Sequence, residues 1–422
     1  MGCIKDNLVD SLALGGIHFA GKSEEDIVEN SLSLKNICAI ILIYGALAIA
    51  ASAQTFTSLA SFGATNGEYP YFGSLAVGSD GNLYGTTILG GTSGSGTIFD
   101  VTTRGVLTML YSFSSDGDIP DSGLVLGSDG NFYGTTSMGS FTGQGTVFKF
   151  TPGGTLTTLY NFCSQSNCSD GGRPQGGLVQ GANGNLYGTT TFGGAHDAGT
   201  VFEITTTGQL TTLYSFCAQT NCTDGWTVSS ALTFASNGKL YGVTTNGGAN
   251  DWGTVFSITT AGTLTTLHSF ASTDGANPFG GLVQASDGNL YGTTSGGGRA
   301  DQGTVFKIGE AGKLETIYDF CSKAYCADGQ APFGTLIQGS NGNLYGTTEA
   351  GGTRNRGTIF EITTKGVLTT LHSFAGADGS SPYAGLVLDS SNGTLYGTTY
   401  FGGNVNCIFY GTGCGSVFSL VP

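Results

Sequence analysis

The stretch SDGNLYGTT (Ser286–Thr294) decides how this chain folds, because it recurs. Close copies place a Tyr-Gly pair at Tyr84, Tyr133, Tyr187, Tyr241, Tyr291, Tyr345 and Tyr396, at intervals of 49 to 54 residues. A period of that length marks a repeat architecture, in which each unit buries its apolar face against the next. The unit from Phe279 to Phe320 reads as four strands. FGGLVQ is a short apolar run, and Ser286-Asp287-Gly288-Asn289 is a hairpin turn whose Gly supplies positive φ. NLYGTT follows, then the loop SGGGRADQ, the alternating strand GTVFKI, a tight GEAG turn and KLETIYDF. No window carries the 3.6-residue period of an amphipathic helix.

Four antiparallel strands repeated seven times predict an all-β fold, a seven-bladed β-propeller. The strands of each blade are named a to d, with a innermost. Gly280 and Gly281 beside strand a suit a crowded axis. The Gly after each motif Tyr is expected to mark a bulge or the close approach of a neighbouring blade. The sequence stops at GSVFSLVP (Gly415–Pro422), a c strand, so the seventh blade lacks its own d strand. QTFTSLASF (Gln54–Phe62) aligns with the d strand GTLTTLHSF (Gly262–Phe270). The N-terminal strand is therefore expected to complete the last blade and close the ring without a covalent bond.

The 74 glycines lack a three-residue period, which excludes collagen, and 26 Phe with 18 Tyr exclude disorder. With 14 basic against 29 acidic side chains, the net charge is −15. Such a surface repels nucleic acid and anionic lipid, so no nucleic-acid partner is expected. Ile37–Ala50 is a 14-residue apolar run between Lys35 and Ala51-Ser52-Ala53. That is the pattern of a secretory signal peptide with cleavage after Ala53; a membrane anchor needs about 20 apolar residues. Residues 1–53 are read as a leader and 54–422 as the propeller, a monomer with no stable membrane insertion after cleavage. Cys38 sits at the wrong end of the run for lipid attachment. The acidic Glu24, Glu25, Asp26 and Glu29 are unwelcome before a signal core, which suggests a start site assigned too far upstream.

Eight further cysteines form neighbouring pairs: Cys163/Cys168, Cys217/Cys222, Cys321/Cys326 and Cys407/Cys414. The first three are read as loop insertions between strand d and the next strand a. An even count, local pairing and an export signal imply disulfides. Zinc is disfavoured, since paired histidines and CxxC spacing are missing. The a–b and c–d turns share one face and are nearly uniform. The b–c and d–a loops share the other face, vary in length and composition, and hold all four cysteine pairs; function tends to sit on such loops.

The d–a loops carry a DGxxP-like signature at Asp116, Asp170, Asp274, Asp328 and Asp378, with Pro120, Pro174, Pro278, Pro332 and Pro382. Blade 1 has Asn66 and Pro70 there, and blade 4 keeps Asp224 without the Pro. A ring of carboxylates could hold a cation, but Asp-Gly is ordinary turn chemistry and each Asp is expected to cap its own turn. Both tryptophans, Trp226 and Trp252, fall in blade 4 on this face, where they either stack on a sugar or pack on each other. With Asp251, the neighbouring b–c loops contribute His196, Asp197, Arg299, Asp301, Arg354 and Arg356, charges the repeats do not share. Together with the two Trp these are the candidate ligand-binding residues. His268 and His372 replace Tyr in the d-strand pattern and read as structural. His196 has no aligned nucleophile, and no GxSxG, HExxH or P-loop is present, so no catalytic residue, metal or cofactor is assigned.

Units such as GGLVQASDGNLYGTTSGGGRADQGTVFKI (Gly280–Ile308) resemble the bacterial tandem repeat called GloVer, found in exported proteins. The resemblance spans Gln54 to Pro422 and implies an exported β-propeller-like protein of no assigned reaction. Many proteins with this repeat carry a C-terminal sorting segment; none follows here, which implies release. The chain is therefore read as a secreted propeller, extracellular or periplasmic, that binds a glycan or a protein through its variable face. The alternatives are a propeller enzyme, a lyase or glycosidase with its site at the channel mouth, and a purely structural envelope protein. N-terminal sequencing of the mature protein is expected to begin at Gln54; Met1 or Gly2 retained would refute the leader.

Overall fold

The computed structural model describes residues 54–403, 407 and 413–422. The apolar run 37–50, Cys38 and the cleavage position after Ala53 lie outside them. The described chain forms seven four-stranded antiparallel sheets in sequence order, a seven-bladed β-propeller. Blade 1 runs Ala76–Val77, Leu83–Thr87, Thr97–Val101 and Leu107–Ser112, and blade 5 runs Val283–Gln284, Leu290–Thr294, Thr304–Ile308 and Leu314–Asp319. Strand a is only a two-residue ladder in blades 1 to 6. Gly280, just before strand a of blade 5, is tightly packed: a Cβ on it would lie 2.8 Å from the Gly334 carbonyl, so the segments leading into strand a of blades 5 and 6 meet backbone to backbone.

The first three cysteine pairs add short 3-10 turns to the strands and loops. Ser166–Cys168, Thr220–Cys222 and Ala324–Cys326 are each a single 3-10 turn. The N–H groups of Cys168, Cys222 and Cys326 donate to the carbonyls of Gln165, Gln219 and Lys323 at 3.1, 3.0 and 3.0 Å. All three cysteines sit at φ near +50°, in the left-handed region. The cause is local: a cysteine can meet its partner five residues earlier only if the chain doubles back between them. Among the described residues no helix is long and apolar enough to cross a membrane.

No blade has a core of its own. Side chains alternate between the two faces of a strand, and in blade 3 both faces of strand c are apolar. Val201 packs with Phe256 and Ile258 of blade 4, while Phe202 and Ile204 pack with Tyr133 and Val147 of blade 2. The same cluster recurs at all seven interfaces between blades.

LYGTT assigns one task to each residue. The Leu is buried in the interface. In blades 1, 2, 3, 5 and 6 the Tyr hydroxyl donates to a carboxylate, as to Asp80 in blade 1 at 2.9 Å and Asp287 in blade 5 at 2.8 Å. The Gly is neither a bulge nor the contact point of a neighbouring blade. Gly85 pairs in regular register with Phe99, and a Cβ there would lie 2.5 Å from the Phe99 ring and 2.8 Å from Leu75, all within one blade. The expectation is corrected: the Gly makes room for the cross-strand aromatic ring that covers it. The first Thr ties its blade to the next, as where Thr86 donates to the Ser122 carbonyl at 2.8 Å and Thr347 to Ala384 at 2.9 Å. The second Thr meets the first residue of strand c, as in Thr87–Thr97 at 2.8 Å.

Ring closure follows the same rules. Thr55–Ser61 pairs antiparallel with Ser416–Val421, from Thr55 opposite Val421 to Ser61 opposite Ser416. Its bulge skips Leu59, as the bulge of blade 3 skips Leu213. Phe62 is fully buried and its ring lies 4.9 Å from Phe99 of blade 1. The Phe62 N–H donates to the Gly415 carbonyl at 3.0 Å, as Phe113 does to Gly96 at 2.9 Å. Phe62→Ala is expected to cost about 3–5 kcal/mol, and the exposed Thr57→Ala under about 0.5 kcal/mol. Urea unfolding of the two variants checks this; equal small losses would mean that the closing strand does not hold the ring.

Candidate functional site

The residue after the DGxxP proline varies from blade to blade, and it lines the axial cavity where it is Gln175, Ser229, Phe279 or Phe333. Phe279, Phe333 and Tyr383 occupy it in blades 5, 6 and 7, and Asp121, Gln175 and Ser229 in blades 2, 3 and 4. Blade 1 is one residue longer here and supplies both Tyr71 and Phe72. The ring thus divides into an aromatic half and a polar half. A cavity of about 190 Å³ lies on the axis, lined by residues from six blades, among them Phe72, Phe279, Phe333, Ser122, Gln175 and Ser229.

The extra residue of blade 1 carries Phe72 across the axis. Its ring lies 5.9 Å from Phe279, nearly parallel at 13°, 6.2 Å from Phe333 and 5.8 Å from Tyr383. Tyr71 lies 5.1 Å from both Tyr383 and Tyr400, the latter placed directly after the Thr-Thr pair of blade 7. Glu349 holds the corresponding position in blade 6 and accepts the Tyr383 hydroxyl at 2.7 Å.

Asp121 is the most perturbed carboxyl of this ring. It is 4% exposed, and its Oδ1 has no hydrogen-bond partner. Burial pushes its pKa up to about 7, against the opposing pull of Ser137, a backbone N–H and Gln175. Burial likewise pushes the Tyr71 phenol up to about 12, helped by Tyr400, Asp121 and Glu349. Tyr383 is raised further by burial and by its donation to Glu349. The cavity lining itself is aromatic on one side and polar on the other, with no charged side chain.

The candidates read from the sequence lie elsewhere on the same face. Trp226 and Trp252 are 38% and 41% exposed, and the Trp226 indole N–H donates to Asp251 Oδ1 at 3.2 Å. Asp251 also accepts the Gly247 N–H at 2.9 Å, and Asp301 the Gly297 N–H at 2.9 Å. Asp197 accepts the Gly193 N–H at 3.2 Å, and Asn355 replaces these carboxylates in blade 6, at 2.9 Å from the Gly351 N–H. These side chains are shared loop staples, which corrects their reading as unshared charges. Arg299 lies 3.6 Å from Asp319 and stays exposed, as do His196, Arg354 and Arg356. None of these residues lines the axial cavity.

The d–a Asp residues cap their own loops. Asp170 Oδ2 accepts the Ser164 N–H and the Tyr160 hydroxyl, and Asp328 repeats this with Ser322 and Tyr318. His268 and His372 take the Tyr role, 3.0 and 2.9 Å from Asp274 and Asp378. The four disulfides are Cys163–Cys168, Cys217–Cys222, Cys321–Cys326 and Cys407–Cys414. None of these cysteines lines the axial cavity, so Cys168, Cys222 and Cys326 shape the d–a loops and take no part in the mouth. Among the described residues one buried trio, Glu68, Cys407 and Cys414, brings potential metal-ligand atoms within 4.8 Å, but the disulfide removes both thiolates. Sequence reasoning missed the mouth residues because conspicuous charges and tryptophans mark the long loops instead. The signal of the mouth is variation at two positions flanked by the near-constant Pro and Thr-Thr.

The sequence pattern of the Gloeobacter/Verrucomicrobia repeat matches residues 44–233 and 218–412, and the chain belongs to that repeat family. No curated protein sequence matches the chain. Among solved structures, the extracellular domain of a proposed one-component system of B. thetaiotaomicron is similar at 11% identity and TM-score 0.51, over 85% of this chain and 42% of that one. A proposed glucose dehydrogenase of Thermus thermophilus matches at 16% identity and TM-score 0.46, over 87% of this chain and 100% of that one. A proposed 6-phosphogluconolactonase of Bacteroides uniformis matches at 15% identity and TM-score 0.45, over 71% and 83%. At such identities the likeness shows a shared fold and nothing finer.

Asp121 gives the site a pH signature. An unfolded Asp ionises near pH 4, whereas folded Asp121 does so near 7. Between those values the folded state holds a proton that the unfolded state lacks, so this group's contribution to stability falls as pH rises. Relative to wild type, Asp121→Asn is expected to gain about 3 kcal/mol between pH 5 and pH 8. Urea unfolding of both proteins at the two pH values measures the difference; a constant difference would mean that Asp121 titrates normally.

Proposed function

We propose that the chain is an exported binding module that holds one sugar unit of a glycan in the axial mouth. The carrying observation is the cavity of about 190 Å³ with Phe72, Phe279 and Phe333 on one side and Ser122, Gln175 and Ser229 on the other. Sugars present an apolar C–H face to aromatic rings and a hydroxyl edge to polar groups, and a concave site needs few of the latter to fix orientation. Export is supported by four disulfides, which persist in oxidising compartments. The sparse, acidic charge of the chain argues against a nucleic-acid ligand.

One observation favours the enzyme reading. A carboxyl poised near neutral pH, as Asp121 is, suits a general acid. That reading requires glycan cleavage that Asp121→Asn abolishes while binding persists.

The test is calorimetric titration with a panel of monosaccharides and short glycans. Phe279→Ala and Phe333→Ala are each expected to weaken binding at least tenfold, while the Trp226→Ala/Trp252→Ala double variant binds as wild type. The reverse pattern would move the site to the tryptophans, and no binding by any glycan would remove the proposal.

A further inference from the structure

We infer that the three loop cystines, Cys163–Cys168, Cys217–Cys222 and Cys321–Cys326, are thiol-exchange sites, at which a small external thiol attaches covalently while the propeller stays folded. The seam cystine Cys407–Cys414 is not one of them. This inference is independent of the sugar reading above.

The first argument is access. All six loop cysteines are partly exposed, and the residues between them, 164–167, 218–221 and 322–325, are exposed throughout. Tyr325 is 98% exposed. Cys407 and Cys414, by contrast, are 8% and 0% exposed and pack in the seam with Phe62 and Phe99. Exchange requires a thiolate to reach a sulfur, so the two kinds of cystine differ in the first requirement of the reaction.

The second argument is backbone strain. Each loop holds three non-glycine residues in the left-handed region: Cys163, Asn167 and Cys168; Cys217, Asn221 and Cys222; Cys321, Tyr325 and Cys326, all at φ between +49° and +59°. The cystine-free d–a loops, 63–67, 114–117, 271–275 and 375–379, hold none. A residue with a Cβ is strained in that region, and such strain persists only where the surroundings impose it. Here the cystine imposes it. Opening the bond lets three residues relax, which favours the thiol form.

The third argument is that the fold does not depend on these bonds. The Asp caps are alike with a cystine, as Asp170 on the Ser164 N–H at 3.0 Å, and without one, as Asp274 on the Ala271 N–H at 2.8 Å. So is the tie to the b–c loop: the Gly194 N–H donates to the Cys168 carbonyl at 2.9 Å, and the Gly298 N–H to the Ser272 carbonyl at 2.8 Å. Backbone bonds also close the base of each cystine loop, as from the Cys163 N–H to the Gly171 carbonyl at 3.0 Å. An opened cystine leaves the loop frame and the interfaces between blades in place.

The step needs no oxidant. The external thiolate attacks one cysteine sulfur and forms the mixed disulfide with it. The Cys–Cys bond breaks, and the partner sulfur leaves with the electron pair as a thiolate.

Folded protein equilibrated with excess reduced glutathione, alkylated and mapped by peptide mass spectrometry tests this. Opened cystines, seen as glutathione on one cysteine and an alkyl group on its partner, are expected in the three loops. Cys407–Cys414 is expected to stay intact and the circular dichroism of the folded protein unchanged. Tyr325→Gly is expected to lower opening at Cys321–Cys326 about two- to fivefold relative to the other two loops of the same molecule. Gly adopts the left-handed conformation without the Cβ penalty, an effect partly offset by the freedom it gives the open loop. Loop cystines that stay oxidised until the protein unfolds would overturn the inference, as would seam cysteines that react alongside them in folded protein. An unchanged ratio in Tyr325→Gly would overturn its strain basis.

Discussion

Both faces of every blade are buried against a neighbour, and the rest of the structure follows from that. Apolar burial is the main favourable term in folding, and here it exists only between blades. A blade alone would expose two apolar faces, and an open array would expose one at each end. Closure is therefore a condition of stability. The final interface places Phe62, from the N-terminal strand, against Leu75, Leu83 and Phe99 of blade 1. The seam is built of the same aromatic and aliphatic side-chain types as the other six interfaces, with the buried Cys407 and Cys414 added.

The same constraint explains how the polar groups near the outer turns vary without loss. Each motif Tyr is buried but ends in a hydroxyl that needs a partner. In blades 2 and 5 the turn supplies Asp129 or Asp287, and strand c supplies Lys149 or Lys307 opposite the Tyr. Lys307 lies 3.1 Å from Asp287, whose pKa is pulled down to about 2 because its hydrogen bonds to Asn289, Tyr291 and Lys307 outweigh burial. In blades 3 and 6 the turn residue is Asn183 or Asn341, and the carboxylate moves to strand c as Glu203 or Glu361. In these four blades the charge changes place and the Tyr keeps an anionic acceptor, whereas in blade 4 Asn237 donates to the Tyr241 hydroxyl and Ser257 stands opposite. Blade 1 departs from this, with Asp80 and Asp100 both bonded to Asn82 and the Asp100 pKa raised mainly by burial.

The architecture was legible in the sequence because its determinants repeat. Strand count, turn glycines, disulfide pairing and the closing strand each appear as local patterns, and the paired registers reproduce them. The 3-10 turns ending at Cys168, Cys222 and Cys326 were not legible, since three residues are too few to show a helical period. The motif Gly was misread for a physical reason: its conflict is with Phe99 on a paired strand, 14 positions away, and only register reveals it. The mouth was harder still. Phe72, Phe279 and Phe333 are far apart in the chain, and the axis brings them together. The loops with conspicuous charges proved to be stapled by them, as Asp197, Asp251 and Asp301 show.

The insertion that carries Phe72 over the axis also has a structural cost, and the cost marks its importance. In blades 1, 3 and 6 the first Thr of the motif donates to a carbonyl in the following blade's inner segment. In blade 7 the next blade is the lengthened one, and Thr398 Oγ1 is buried without a partner. An unsatisfied buried hydroxyl costs about 1–3 kcal/mol. The seam between blades 7 and 1 thus gives up a tie kept at other interfaces, at the place where Phe72 and Tyr71 join the aromatic half of the mouth. Violations of a local rule that persist in an otherwise consistent structure tend to fall at functional sites. Asp121, with its own unpartnered oxygen, sits at the next position around the same ring. Thr398 and Asp121 thus lie in blades 7 and 2, either side of the lengthened blade 1, whose Phe72 lines the axial cavity.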